Sequence, residues 1–298
     1  MRIANVAGRC VYVEGTGASA RAIDIAEASG DRFGPEPRAV LEQWAEFRAW
    51  VAGGGLAGFA GMAFDPAGVD APLPDPRQVF AIGLNYDAHA HESGFLRPAA
   101  PVVFTKYASS LTGPVSSVAL VSETVDWEVE LVVVIGQQAR NVDAAQAWSY
   151  VAALTVGQDL SERTSQHAGP APQFSLAKSF PGFSPTGPVL VTPDEFVDPD
   201  DLALGCELDG EELQSCRTSQ MIFPVAALVA HLSSIVTLYP GDLIFTGTPA
   251  GVGIGRTPPR YLQAGEVLTS WVQDIGTLRQ EFVPSRTVRE TELASEAH

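Results

Sequence analysis

The chain has 298 residues, 46% hydrophobic and 18% charged, a balance that supplies a full core and excludes an intrinsically disordered protein. Lys and Arg number 18 against 35 Asp and Glu, a formal charge of −17; that field repels phosphate backbones and argues against a nucleic-acid partner. No apolar run approaches the ~18 residues of a membrane span, and the opening MRIANVAGRCVYVEG lacks the charged-then-apolar order of a secretory signal. Three cysteines make no disulfide framework, so a cytoplasmic, reduced protein without a membrane partner is expected.

In chain order, residues 1–70 read as a small leading α/β unit. Two short β-rich runs, Cys10–Val13 and Ala22–Ile25, precede a helix on which Val40, Leu41, Trp44, Phe47 and Val51 recur at helical spacing, ended by Gly53–Gly55. The Pro-rich stretch APLPDPRQ (71–78) reads as a linker. The body, 79–283, carries strands at 79–84, 101–106, 127–136, 187–192, 202–208 and 242–247, all rich in Val, Ile, Leu and Phe. Asp209-Gly210 predicts a two-residue hairpin. In that register Cys206 faces Leu213 and Cys216 faces Ala203, on opposite faces, which disfavours a disulfide. Helices are expected at 143–153 and at 224–236, the second with Pro224 in its first turn and His231 at the edge of its apolar stripe. The tail, 284–298, is polar and lacks periodicity. With 28 Gly and 22 Pro, the fold class is mostly β (α+β): a sheet-rich roll or sandwich with a few covering helices.

Four clusters carry possible chemistry. In Asp126-Trp127-Glu128-Val129-Glu130, Glu128 and Glu130 fall on one face of a strand, about 7 Å apart along the chain. The strand continues as LVVVIG, and two like charges on so apolar a strand are costly to bury. A hard divalent cation removes both the repulsion and the desolvation cost, and oxygen-only ligands suit Mg²⁺, Mn²⁺ or Ca²⁺; a half-exposed sheet with both acids in solvent is the alternative. Asp159, before Ser161-Glu162-Arg163, is a candidate third ligand or else a helix N-cap. Arg163 and Gln166 follow on one helix face.

In GLNYDAHAHESGF, His89 and Glu92 share a face if the segment winds into a turn. A carboxylate on one ring nitrogen makes the other a better base, although taken alone the segment reads more readily as a surface loop with an ordinary His and Glu. His91 is the rival base, without an acid three or four residues away. The segment is polar, contains Gly94 and Pro98, and has the character of a mobile lid. The glycines of PGDLIFTGTPAGVGIG meet neither the P-loop nor the dinucleotide pattern. Backbone N–H groups there, with the Thr248 hydroxyl, would suit an oxyanion or carboxylate. Finally, 16 of the 18 basic residues are Arg; the two Lys, Lys106 and Lys178, mark either chance or places where a compact ammonium has a use.

Seven pieces in this order resemble the fumarylacetoacetate hydrolase family over about residues 79–283: GLNYDAHAHE, FTKYASSLTGP, DWEVELVVVIG, QDLSERTSQ, AKSFPGFSPTGP, the DGEELQ hairpin and PGDLIFTGTPAGVG. The resemblance implies a β-sandwich roll, a homodimer, one Mg²⁺ or Mn²⁺ per subunit, and a 2-oxo or 1,3-dioxo acid substrate. It implies Glu128, Glu130 and Asp159 as metal ligands and His89 with Glu92 as the dyad that prepares water. Lys178 matches the active-site lysine, Arg163, Gln166 and Thr248 match substrate-contacting positions, and Lys106 matches a commonly basic position. Departures from the common pattern are Thr164 after the arginine and Pro181-Gly182 after Lys-Ser-Phe. The expected activity is hydrolysis of a C–C bond in a β-diketo acid of the acylpyruvate or fumarylpyruvate type. Lys178 and Thr248 would steady the oxyanion. An oxaloacetate-type decarboxylase, a tautomerase or hydratase, and a non-catalytic ligand-binding relative are the alternatives.

Overall fold

The structure is a computed structural model, and it describes residues 1–285. The expected tail therefore lies outside the described residues apart from Pro284 and Ser285. The architecture is mostly β, as the sequence predicts. Among the described residues, eleven strands form one large mixed sheet, five form a second, and two short ones pair separately.

The large sheet is organised around Val129–Ile135, buried at every position. Val151–Gln158 flanks it antiparallel on one side and Leu243–Phe245 on the other. Its odd residues, Val129, Leu131, Val133 and Ile135, belong to a core shared with the five-stranded sheet and the helix Val225–Ile235. Its even residues Val132 and Val134 belong to a second core, under helices that carry Val40, Leu41, Trp44 and Phe47. A strand covered on both faces has to read as a continuous apolar run. Glu128 and Glu130 share the even parity, so they interrupt the second face where its apolar cover ends.

Several elements differ from expectation. The run 143–153 is a short 3-10 segment, Ala144–Tyr150, followed by strand Val151–Gln158; pairing with the central strand outweighs the helical pattern there. The single helix expected around Val40–Val51 is two, Pro37–Glu42 and Trp44–Ala52, broken at Gln43. In the 203–217 hairpin a bulge leaves Leu213 without an opposite partner, pairing Cys206 with Gln214 and Cys216 with Leu204. The face assignment of the two cysteines is thus corrected, and both thiols are free.

The leading strands extend the large sheet, because Arg2–Val6 pairs with Ser184–Val191. In the expected linker, Ala71, Pro72 and Leu73 are buried. Among the described residues no helix is long and apolar enough to cross a membrane.

Gly157 lies directly opposite Glu130 in the ladder. A β-carbon there would sit 2.4 Å from Val132 Cγ2 and 2.8 Å from Phe245 Cε1. Gly157→Ala is expected to lower stability by ~1–3 kcal/mol, the scale of overpacking a dense core. Urea unfolding checks this; an unchanged midpoint would refute the packing described.

Candidate active site

Glu128, Glu130 and Asp159 each offer a carboxylate oxygen, and these atoms lie within 4.8 Å of one another, all buried. Strand alternation puts the two glutamates side by side, and the Asp159 N–H donates to the Glu128 carbonyl (2.9 Å), pinning the next strand's end against them. Asp159 is not a helix cap. Glu162 fills that role for Arg163–Gln166, accepting from the Thr164 and Ser165 N–H groups, which leaves the Asp159 carboxylate to the cluster.

Cations surround these acids. Lys178 Nζ donates to Glu128 Oε2, Asp159 Oδ2 and Ser161 Oγ, each at 2.7 Å. Arg163 Nε donates to Asp126 Oδ2 (2.8 Å), and its Nη2 pairs with Glu128 Oε1 at 2.7 Å. Lys106 Nζ is bonded to Asp159 Oδ1 and to the Lys178 carbonyl. Burial alone would raise the Glu128 carboxyl, but Lys178 and Arg163 outweigh it and hold it below the usual carboxylate range. Glu130 has no such partner. Burial, Asp159 and Glu128 push it well above that range, against one N–H bond from Gly247 (2.7 Å).

Four buried carboxylates, Asp126, Glu128, Glu130 and Asp159, thus meet three buried cations, Lys106, Arg163 and Lys178. An all-oxygen donor set in which Glu130 lacks a cationic partner would suit a hard divalent cation such as Mg²⁺ or Mn²⁺.

Glu128 opens onto a cavity of about 200 Å³ that Arg163, Gln166, Lys178, Thr248, His89 and Glu92 also line. The dyad sits on helix Asp87–Glu92. Glu92 Oε1 accepts from His89 Nδ1 at 2.8 Å, which leaves the lone pair on Nε2. His89 is buried and His91 exposed, so burial separates the two rival bases. Phe95, Phe104, Phe174, Ile82 and Ile254 form an apolar wall.

The loop after Leu243–Phe245 departs from expectation. Its N–H groups are already engaged by the protein's own acids. Gly247 donates to Glu130, Gly251 to both oxygens of Glu92 (3.1 and 3.0 Å), and Gly253 and Ile254 to Asp126 (2.7 and 2.9 Å). Gly247 (φ +98°) and Gly251 (φ +111°) adopt backbone conformations open mainly to glycine. An added β-carbon at Gly251 would lie 2.2 Å from the Leu213 carbonyl.

Three substrate assignments are refined. The Thr248 hydroxyl donates to the Val129 carbonyl (2.9 Å), so it has no proton left for an oxyanion. Lys106 is fully enclosed and does not line the cavity; instead it holds Asp159 from behind. All three Lys178 protons are engaged, so a role at a reacting oxygen requires exchange of one partner for the substrate. Arg163 and Gln166 are joined, with Gln166 Oε1 accepting from Nη1 (2.9 Å). The departures Thr164 and Pro181 are exposed and off the cavity. Sequence reasoning passed over Asp126, whose carboxylate ties Arg163 to the loop; its one signal is burial implied by its place before an apolar strand.

Three buried carboxylates that could hold a metal ion thus stand beside a His–Glu pair on a mostly β fold. The family model for the fumarylacetoacetate (FAA) hydrolase C-terminal region matches residues 78–283, and the chain belongs to the fumarylacetoacetate hydrolase family. Oxaloacetate tautomerase Fahd2a, mitochondrial, of Rattus norvegicus is 41% identical over 215 residues, covering 72% of this chain and 68% of that protein. A Mycobacterium smegmatis protein provisionally named HpcE has 53% identity and a TM-score of 0.90, over 96% of this chain and 100% of that one. Maleylpyruvate hydrolase from Sphingobium sp. SYK-6, in complex with manganese(II) and pyruvate, has 25% identity and a TM-score of 0.78, over 96% and 100%.

Adding Mn²⁺ is expected to raise the thermal midpoint of the wild type, since a ligand that binds only the folded state stabilises it by ~2.7 kcal/mol at one hundred times Kd. Glu130→Ala should lose that shift, with Mn²⁺ affinity read directly by calorimetry. An undiminished shift in the variant would remove Glu130 from the metal site.

Proposed function

We propose that this protein is a divalent-metal-dependent enzyme that moves a proton at the carbon next to the oxo group of a short 2-oxo acid, in the manner of an oxaloacetate keto–enol tautomerase. The observation that carries this reading is the convergence of Glu128, backed by Glu130 and Asp159, with the oriented His89–Glu92 pair on one small cavity. Glu128, Glu130 and Asp159 would hold the divalent cation, which would supply positive charge to stabilise the enolate form of the acid. His89 Nε2 takes the proton from the substrate carbon and returns it, and Glu92 stabilises the imidazolium in between. Arg163 and Gln166 orient the acid, Gln166 through its amide nitrogen. The phenylalanine wall keeps water from the intermediate. The relatives named as tautomerases support this reaction at 41% identity.

Hydrolysis of a C–C bond in an acylpyruvate is the second reading, favoured by the apolar wall, which suits an acyl tail, and by the neighbour named as a maleylpyruvate hydrolase. There His89 Nε2 deprotonates water for attack on the distal carbonyl, and the departing fragment leaves as an enolate that is then protonated. A homodimer belongs to the same proposal and is checked by light scattering. A cytoplasmic location also belongs to it and is checked by cell fractionation, because the relatives' names carry the word mitochondrial.

The test is turnover with Mg²⁺ or Mn²⁺ on oxaloacetate and a set of acylpyruvates, with products identified. Enol–keto exchange without new products supports the tautomerase; pyruvate plus a second acid supports hydrolysis; pyruvate plus CO₂ marks decarboxylation. His89→Ala should cost ~10²–10⁴-fold in kcat, while His91→Ala stays near wild type. If neither oxaloacetate nor any acylpyruvate is turned over, or if His91→Ala is the crippling change, the reading fails.

A further inference from the structure

The DGEELQ hairpin contributes a side chain to the site that neither the metal cluster nor the dyad accounts for. The bulge at Leu213 puts Leu213 and Gln214 both on the buried side of an otherwise alternating strand. A bulge beside an active site commonly re-aims one side chain. Here the re-aimed residue is Gln214, only 2% exposed. Its Oε1 accepts from the Val129 N–H (3.0 Å), between Glu128 and Glu130. Its Nε2 donates to Thr248 Oγ1 (2.8 Å) and to the Pro249 carbonyl (2.7 Å). Thr248 donates in turn to the Val129 carbonyl. One amide therefore ties the strand that carries the metal carboxylates to the loop whose Gly251 N–H holds Glu92.

We propose that Gln214 is a positioning residue that sets the distance between the metal carboxylates and the His89–Glu92 base by clamping loop 247–251 to Val129. This rests on the functional reading above, but the clamp itself is a property of the chain. Asparagine is one methylene too short to reach both sides. Glutamate keeps the acceptor for Val129 but loses the two donated bonds and turns an oxygen toward the Pro249 carbonyl. Leucine fills a similar volume and makes none of the bonds.

Gln214→Glu and Gln214→Leu are to be compared with Gln280→Glu, a buried glutamine on the strand Gly276–Pro284 whose amide donates to the Pro114 carbonyl and not to the loop. Three quantities decide: amide hydrogen exchange of the 246–255 segment against 129–135, Mn²⁺ affinity, and the split between kcat and KM on an oxo acid. Both Gln214 variants should exchange about tenfold faster across 246–255, the scale of one to two lost hydrogen bonds. Mn²⁺ affinity should stay within about threefold, because no metal ligand has been removed. Where the wild type turns over an oxo acid, kcat should fall about tenfold with KM changed less, since the base and not the metal is displaced. Gln280→Glu should alter none of these even if its thermal midpoint drops.

Wild-type exchange across 246–255 in both Gln214 variants would overturn the proposal. So would loss of Mn²⁺ affinity parallel to faster exchange everywhere, which marks general destabilisation. If the wild type turns over no oxo acid, the functional reading fails while the exchange measurement still decides the clamp.

Discussion

Everything at the site follows from placing like charges next to each other on the same face of a buried strand. Glu128 and Glu130 continue the even face of Val129–Ile135, where Val132 and Val134 pack against a helix-covered core. Charges in such a place are costly unless paired. Three cations answer the cost incompletely. Lys178 and Arg163 hold Glu128 ionised, and Lys106 and Lys178 hold Asp159. Glu130 remains with two carboxylates for neighbours and one backbone N–H for relief. That unfinished compensation is the opening that a cation would fill.

The loop 247–255 solves the complementary problem of aiming the remaining acids. Its N–H groups bind Glu130, Glu92 and Asp126 in succession. Of these three carboxylates, Glu130 belongs to the acid cluster, Glu92 orients His89, and Asp126 holds Arg163. A loop rich in glycine can turn successive N–H groups toward separate acceptors because positive φ costs it little. The consequence is mechanical: the base and the acid cluster share one support, so a shift of the loop moves Glu92 relative to Glu128.

Much of this was legible in the sequence. A period of two with an apolar continuation suffices to place Glu128 and Glu130 together, and an acid three residues on distinguishes His89 from His91. What could not be read depends on non-local pairing. That the leading strands would join the sheet of the body, with Arg2–Val6 beside Ser184–Val191, could not be read from local pattern. The start of the strand at 151–158 has a local pattern that also fits a helix until the central strand pairs with it. The bulge at Leu213 shifts the register by one residue, and no residue type announces it. The fate of the loop N–H groups and of the Lys106 ammonium was hidden for the same reason. Composition can say that a donor is available but not which acceptor, some fifty or a hundred residues away, reaches it first.

The central claim is that a divalent cation sits among Glu128, Glu130 and Asp159. Its most direct test is a crystal structure of the Mn²⁺-soaked protein with anomalous scattering measured at the manganese edge. The account predicts a single strong anomalous peak within bonding distance of all three carboxylates, with His89 facing the same cavity. A peak elsewhere, or none at this cluster at saturating Mn²⁺, would contradict it.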